Sequence, residues 1–199
     1  MDGLNRRQAL QALASGAIGA VTSATWVESL SALARQQAHA HAAGSVIALQ
    51  DWTPRVLTAQ QNEAVVVLTE LIIPQTDTPG AKSARVNRFI DTVLADAPPA
   101  ARESFLRGLA WMDARSRTLF GKELLAATGT EQTALLTRLS TEGNQDAEDR
   151  IGVEFFQAIK SMTIDGYYTT EIGLRQELGD SGQLFLGQFE GCTHPEHQK

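Results

Sequence analysis

The 199 residues carry 43% hydrophobic and 20% charged side chains and a formal net charge of −6, the balance of an ordinary globular protein. No basic cluster follows the first few residues, which disfavours nucleic-acid binding by phosphate neutralisation. A lone cysteine, Cys192, is either free or paired with another chain in an oxidising compartment.

The N-terminal stretch governs how the rest is read. Asn5-Arg6-Arg7-Gln8-Ala9-Leu10 sets two adjacent arginines ahead of a run that holds no charge from Ala9 to Val21. A membrane span needs ~20 apolar residues, so this run is too short to anchor. A basic start, a short apolar run and a later small-residue stretch describe an export signal. Ala38-His39-Ala40-His41-Ala42 contains two overlapping Ala-x-Ala cleavage sites, after Ala40 and after Ala42. The Arg6-Arg7 pair and the predominance of Ala and Gly over Leu point to the twin-arginine route, which carries folded cargo. Residues 1–42 are therefore predicted to be a twin-arginine export signal, and the protein to be periplasmic. The competing reading is an amphipathic first helix of a cytosolic domain. Trp26 to Gln37, with Glu28 and Arg35, makes the distance to cleavage long and can be read instead as a retained helix. Removal of the signal would leave about 157 residues, enough for one domain with a single core.

Residues 43–57, with Trp52 and Pro54, read as an extended arm leading into a helical domain over 58–199. Thr58-Ala59-Gln60-Gln61 has the capping-box form. Val65, Leu68, Leu71 and Ile72 follow at helical spacing, and Pro74 stops the run. Thr76-Asp77-Thr78-Pro79-Gly80 is a turn. A second helix is predicted from Ser83 to Ala95, with Val86, Phe89, Ile90 and Val93 on one face. A long third helix is predicted from Ala100 to Phe120, its apolar set Phe105, Leu106, Leu109, Met112 and Leu119. After a break at Gly121, Lys122 to Thr128 could continue it. Thr130-Glu131-Gln132-Thr133 is predicted to cap a short helix through Leu139, and Glu142 to Asp149 is a polar loop. Ile151 to Ile164 is helical, with Val153, Phe156, Ile159, Lys160 and Thr163 in register; Thr169 to Leu178 is a possible last helix, followed by a loop-rich tail. No stretch alternates with period two, so the expected class is all-α, five to seven helices around one core. No later run reaches membrane length.

Gly191-Cys192-Thr193-His194-Pro195-Glu196-His197 is the densest set of reactive side chains. Thiol, imidazole and carboxylate groups are each ligands for a soft or borderline metal. A structural zinc site draws ligand pairs from separate segments, and the segment after the signal offers no other His or Cys. The plain reading is a loop end held by polar contacts; an intermolecular disulfide through Cys192 stands between the two. Asp146, Glu148, Asp149 and Glu154 form an acidic cluster with part of the alternation of a calcium loop, but a solvated loop explains it better. Tyr167-Tyr168 ends a helix, and two adjacent tyrosines cannot both face one core, so one is expected at a surface; aromatics with a polar tip are enriched at interfaces. Phe185, Leu186 and Phe189 in the Gly-rich tail point to covering by another surface. Neither a dinucleotide fingerprint nor a Walker-type loop occurs, and no self-sufficient active site is visible. These residues point to a domain that serves another protein. A stand-alone periplasmic metal-binding protein using Cys192, His194 and His197 is the alternative.

The start Asn5 to Leu10, the segment Leu71-Ile72-Ile73-Pro74-Gln75-Thr76-Asp77-Thr78-Pro79-Gly80-Ala81, then Phe156, Lys160, Thr163, Gly166-Tyr167-Tyr168-Thr169 and the tail Gly187 to Gln198 carry a resemblance. Over roughly Thr58 to Gln198 the chain resembles the gluconate 2-dehydrogenase subunit 3 family, small subunits of membrane-bound flavin dehydrogenases. The resemblance implies a non-catalytic subunit whose partner is a large FAD-binding subunit of the glucose–methanol–choline oxidoreductase type, acting on a sugar, sugar acid or polyol. It also implies a possible multihaem cytochrome c subunit, and export of the large subunit as a passenger through the twin-arginine translocase. In that setting Arg6 and Arg7 are the export determinants and Cys192 a candidate interchain disulfide. Tyr167, Tyr168, Phe189, His194 and His197 are candidate partner contacts. No cofactor or metal is expected in this chain itself.

Overall fold

The computed structural model describes residues 24–42, 52–141 and 146–181. Among them every regular element is helical, as the periodicity predicts. Six α-helices run α1 Ala24–Ala42, α2 Ala59–Ile72, α3 Val86–Asp96, α4 Pro99–Phe120, α5 Gly129–Ser140 and α6 Arg150–Tyr167. A 3-10 turn, Leu124–Ala126, joins α4 to α5, and a π-helical stretch, Ile172–Glu177, follows α6. Arg6 and Arg7, and Phe189, Cys192, His194 and His197, lie outside the described residues.

Helix α6 is the central element, touched by α1, α2, α3, α4 and α5. Phe155, Ala158, Ile159, Met162, Thr163 and Tyr167 are its buried side chains. The sequence register differs here. Phe156 is only half-buried and Lys160 is exposed, whereas Phe155, not anticipated, is fully enclosed. The cause is packing on several sides at once, so the buried surface of α6 is wider than a single stripe. Two glycines let α4 and α6 approach closely. A Cβ on Gly108 of α4 would meet the Phe155 Cβ at 2.5 Å, and one on Gly152 of α6 would strike the Trp111 ring. The Phe105 and Phe155 rings then sit 5.0 Å apart, tilted by 55°.

Helix α1 covers the last part of the stretch assigned to the export signal. Its Trp26, Leu30, Ala34 and Ala38 recur every fourth residue and are all buried. At one end Trp26 Nε1 donates to Glu154 of α6 at 3.3 Å, and at the other Gln37 donates to Asp96 of α3 at 2.9 Å. Burial pushes the Asp165 carboxyl of α6 above its ordinary range, with Arg35 of α1 opposing that shift.

Local chemistry sets the helix ends. At α2, Thr58 Oγ1 accepts from the Gln61 amide at 3.2 Å and Gln61 Oε1 accepts from the Thr58 amide at 2.9 Å, the predicted capping box. Such a cap is worth ~1 kcal/mol. Helix α3 begins at Val86 rather than Ser83, because Arg85 takes a left-handed φ of 57°. Its C-terminal carbonyls are satisfied by Arg102, whose guanidinium donates to Leu94, Ala95 and Ala97. Pro99 opens α4 and Gly121, at φ 74°, closes it; Leu119 is 41% exposed and leaves the predicted core set. Helix α5 is capped by Thr128, two residues before the predicted Thr130. There the Glu131 carboxylate accepts from the Thr128 amide at 2.7 Å, completing a second capping box. The predicted last helix is realised as the π-helical stretch, with Leu178 N donating to Gly173 O.

Two buried carboxylates do structural work. Asp91, with no exposure, accepts from the amides of Arg55, Val56 and Leu57 at 2.7, 3.1 and 3.0 Å, fixing the end of the arm. Arg88 stacks over the Trp52 ring at 5.1 Å and holds the same segment. Asp149 is likewise fully buried, with Arg115 at 3.0 Å and Arg138 Nε on its two oxygens. The acidic cluster is thus neutralised rather than simply solvated: Arg138 also pairs with Asp146 at 2.7 Å and Arg115 with Glu148 at 2.9 Å.

Asp91→Ala leaves three arm amides without their acceptor and is expected to lower unfolding free energy by about 3 kcal/mol, measured by urea denaturation. For Asp165 the folded pKa is raised, so the folded state favours the protonated form. Stability therefore falls as pH rises from the unfolded value, ~4 for an Asp, through the folded one. Asp165→Asn should raise the melting temperature at pH 7 and lose that advantage below pH ~4; an equal gain at both would contradict this.

Candidate functional site

Two segments far apart in sequence meet at the C-terminal end of α6. One is the loop Ile73–Arg85 between α2 and α3; the other is Tyr167-Tyr168 with the π-helical stretch behind it. Glu70, in the last turn of α2, organises the loop. Its two carboxylate oxygens accept from the Gln75 amide at 3.0 Å and the Lys82 amide at 2.8 Å, so both arms of the loop hang from one side chain. Ala81 N donates to Ile73 O at 2.9 Å and closes the neck. Gly80 is required by close approach, since a Cβ there would lie 2.5 Å from Glu70 Oε1 and 2.6 Å from Gln75 N.

From the other side the Tyr167 hydroxyl donates to Pro79 O at 2.8 Å, across 88 positions of chain. Burial pushes its phenol above the ordinary value, so the hydroxyl keeps its proton and remains a donor. Thr78 Oγ1 donates to Glu177 of the π-helical stretch. Held at these points, the loop presents Pro74, Gln75, Thr76 and Asp77 to solvent. The Thr76 hydroxyl, donating at 2.9 Å, holds the Asp77 carboxyl below the usual range.

The adjacent tyrosines part company as their spacing requires. Tyr167 is 1% exposed and belongs to the core, and it reaches the loop only through its bond to Pro79. Tyr168 is half-buried at the edge, its ring 5.1 Å from that of Tyr167 and perpendicular to it. Phe156 and Lys160 meet Leu71, Ile72 and Leu136 around an open groove of about 240 Å³ between α2, α5 and α6. The groove adjoins the loop through Leu71 and Ile72. The sequence reading does not single out Glu70 or Glu177, and it holds Thr78 only as part of the turn and the resembling segment. Glu70 had a readable signal, a carboxylate one turn before Pro74 at the end of an apolar helix face; the partnership of Thr78 with Glu177 had none.

The family model described as Gluconate 2-dehydrogenase subunit 3 matches residues 59–180. The chain belongs to the gluconate 2-dehydrogenase subunit 3 family. Membership implies a subunit of a gluconate dehydrogenase complex. The match takes in Glu70, the Leu71–Ala81 segment, Phe156, Lys160 and Tyr167-Tyr168, and so both halves of the site; the resembling tail from Gly187 lies beyond it. No curated protein and no solved structure matches the chain. Among the described residues, no three His, Cys, Asp or Glu side chains gather to hold a metal, and no helix is long and apolar enough to cross a membrane.

Tyr167→Phe keeps the ring and removes only the bond to Pro79. Stability should fall by about 1 kcal/mol, and the amide of Ala81 should exchange faster with solvent. Unchanged exchange at Ala81 would show that the hydroxyl does not hold the loop.

Proposed function

We propose that this chain is the non-catalytic small subunit of a periplasmic, membrane-associated flavin dehydrogenase. It carries the signal that exports the folded catalytic subunit, and it stabilises that subunit after export. The family match over residues 59–180 is the observation that carries this reading. Its partner is an FAD-binding subunit of the glucose–methanol–choline oxidoreductase type that oxidises a sugar, sugar acid or polyol; where the complex includes a multihaem cytochrome c subunit, that subunit receives the electrons. FAD and haem c belong to those subunits.

The geometry supports a docking role. A loop fixed by Glu70, Tyr167 and Glu177 has already lost the freedom that binding would otherwise cost, and such preorganisation favours association. Its exposed tip and the edge of Tyr168 are the described part of the proposed contact surface; Phe189, His194 and His197 are further candidate contacts and lie outside the described residues. Cys192 forms a disulfide with the catalytic subunit, which keeps the pair together on dilution.

Arg6 and Arg7 are the export determinants, because the twin-arginine route reads the paired guanidinium groups and carries cargo already folded around its cofactor. Replacing both by Lys should leave dehydrogenase activity and bound flavin in the cytoplasm. Undiminished periplasmic activity in that variant would contradict the export role.

A further inference from the structure

Helix α1 is built into the core by residues that a cut after Ala40 or Ala42 would discard. Leu30 and Ala34 have no exposure at all, and Trp26 and Ala38 are 6% and 8% exposed. Their side chains fill space against α6, α3 and α4, and the polar ends are tied by Trp26 to Glu154 and by Gln37 to Asp96. Loss of the helix would uncover apolar surface on three others.

We propose that processing occurs instead at the Ala24–Thr25 bond, so that α1 is the first helix of the mature protein. Thr22-Ser23-Ala24 places small side chains at the positions one and three residues before that bond. The uncharged run Ala9–Val21 directly precedes it, and a signal ending at Ala24 falls within the ~15–30 residues of an ordinary export signal. Thr25 is exposed at the start of α1, accessible to a peptidase, while the buried stripe begins one residue later at Trp26. The reaction is a hydrolysis: one water is consumed, Ala24 gains the new carboxylate and Thr25 the new amino terminus. The boundary thus separates an address from a domain at the point where burial begins.

This assignment rests on the export reading, and one experiment separates the two. The full chain, tagged at its C-terminus and co-expressed with its catalytic subunit, is fractionated, and each form is subjected to N-terminal sequencing and intact-mass measurement. A periplasmic form beginning at Thr25 is the expected result. A form beginning at His41 or Ala43, or a periplasmic form with Met1 retained, overturns the assignment. Confinement to the cytoplasm overturns the export reading, and the processing site with it. Leu30→Ala in the same full chain reports on α1 separately: the protein purified from either compartment should melt at least ~5 °C lower than wild type. Equal melting temperatures would show that α1 is no part of the finished fold.

Discussion

Close approach to α6 is the constraint on which the structure depends. Five helices lean on this one, and its buried faces are filled by Phe155, Ile159, Met162 and Tyr167. Gly108 and Gly152 remove the Cβ atoms that would hold α4 away, and α1 offers Ala34 and Ala38 where it packs into the core. Electrostatics fixes the ends of the same helix. Asp149, buried between Arg115 and Arg138, anchors its start, since a buried carboxylate is tolerated only when paired. Tyr167 anchors its end by reaching the carbonyl of Pro79.

That second anchor links the core to the candidate site. The tip of the loop after α2, Pro74 to Asp77, is exposed and mostly polar, so it has little hydrophobic reason to keep one shape. Its shape comes from Glu70 on one side and Tyr167 on the other, both rooted in helices of the core. The stability of α6 is therefore transmitted to a solvent-facing tip without the tip burying anything itself. A surface prepared in this way suits the proposed role of holding a larger partner.

Much of this was legible in the sequence where local rules dominate. The Thr58–Gln61 box, the stop before Pro74 and the break at Gly121 depend on a few neighbouring residues, and each occurs where the pattern places it. The all-α class followed from periodicity. The register of α6 did not, because a helix packed on several sides has no single stripe to read. The cap of α5 moved to Thr128 because two threonines compete and only that one has Glu131 at the reciprocal position. The start of α3 depended on a left-handed Arg85 that no propensity announces. In the candidate site, the tyrosine pair and the Pro-Gly turn were singled out separately. Their union through Tyr167 and Pro79 is a tertiary fact spanning 88 positions, and no local pattern encodes it.

The proposed role is to escort and hold a flavin dehydrogenase. It is tested most directly by capturing the C-terminally tagged protein from periplasmic extract, scanning the eluate for flavin absorbance and running it on a non-reducing gel. A large flavin-bearing companion is expected, in a band that reduction splits through Cys192. A lone small protein without flavin would contradict it.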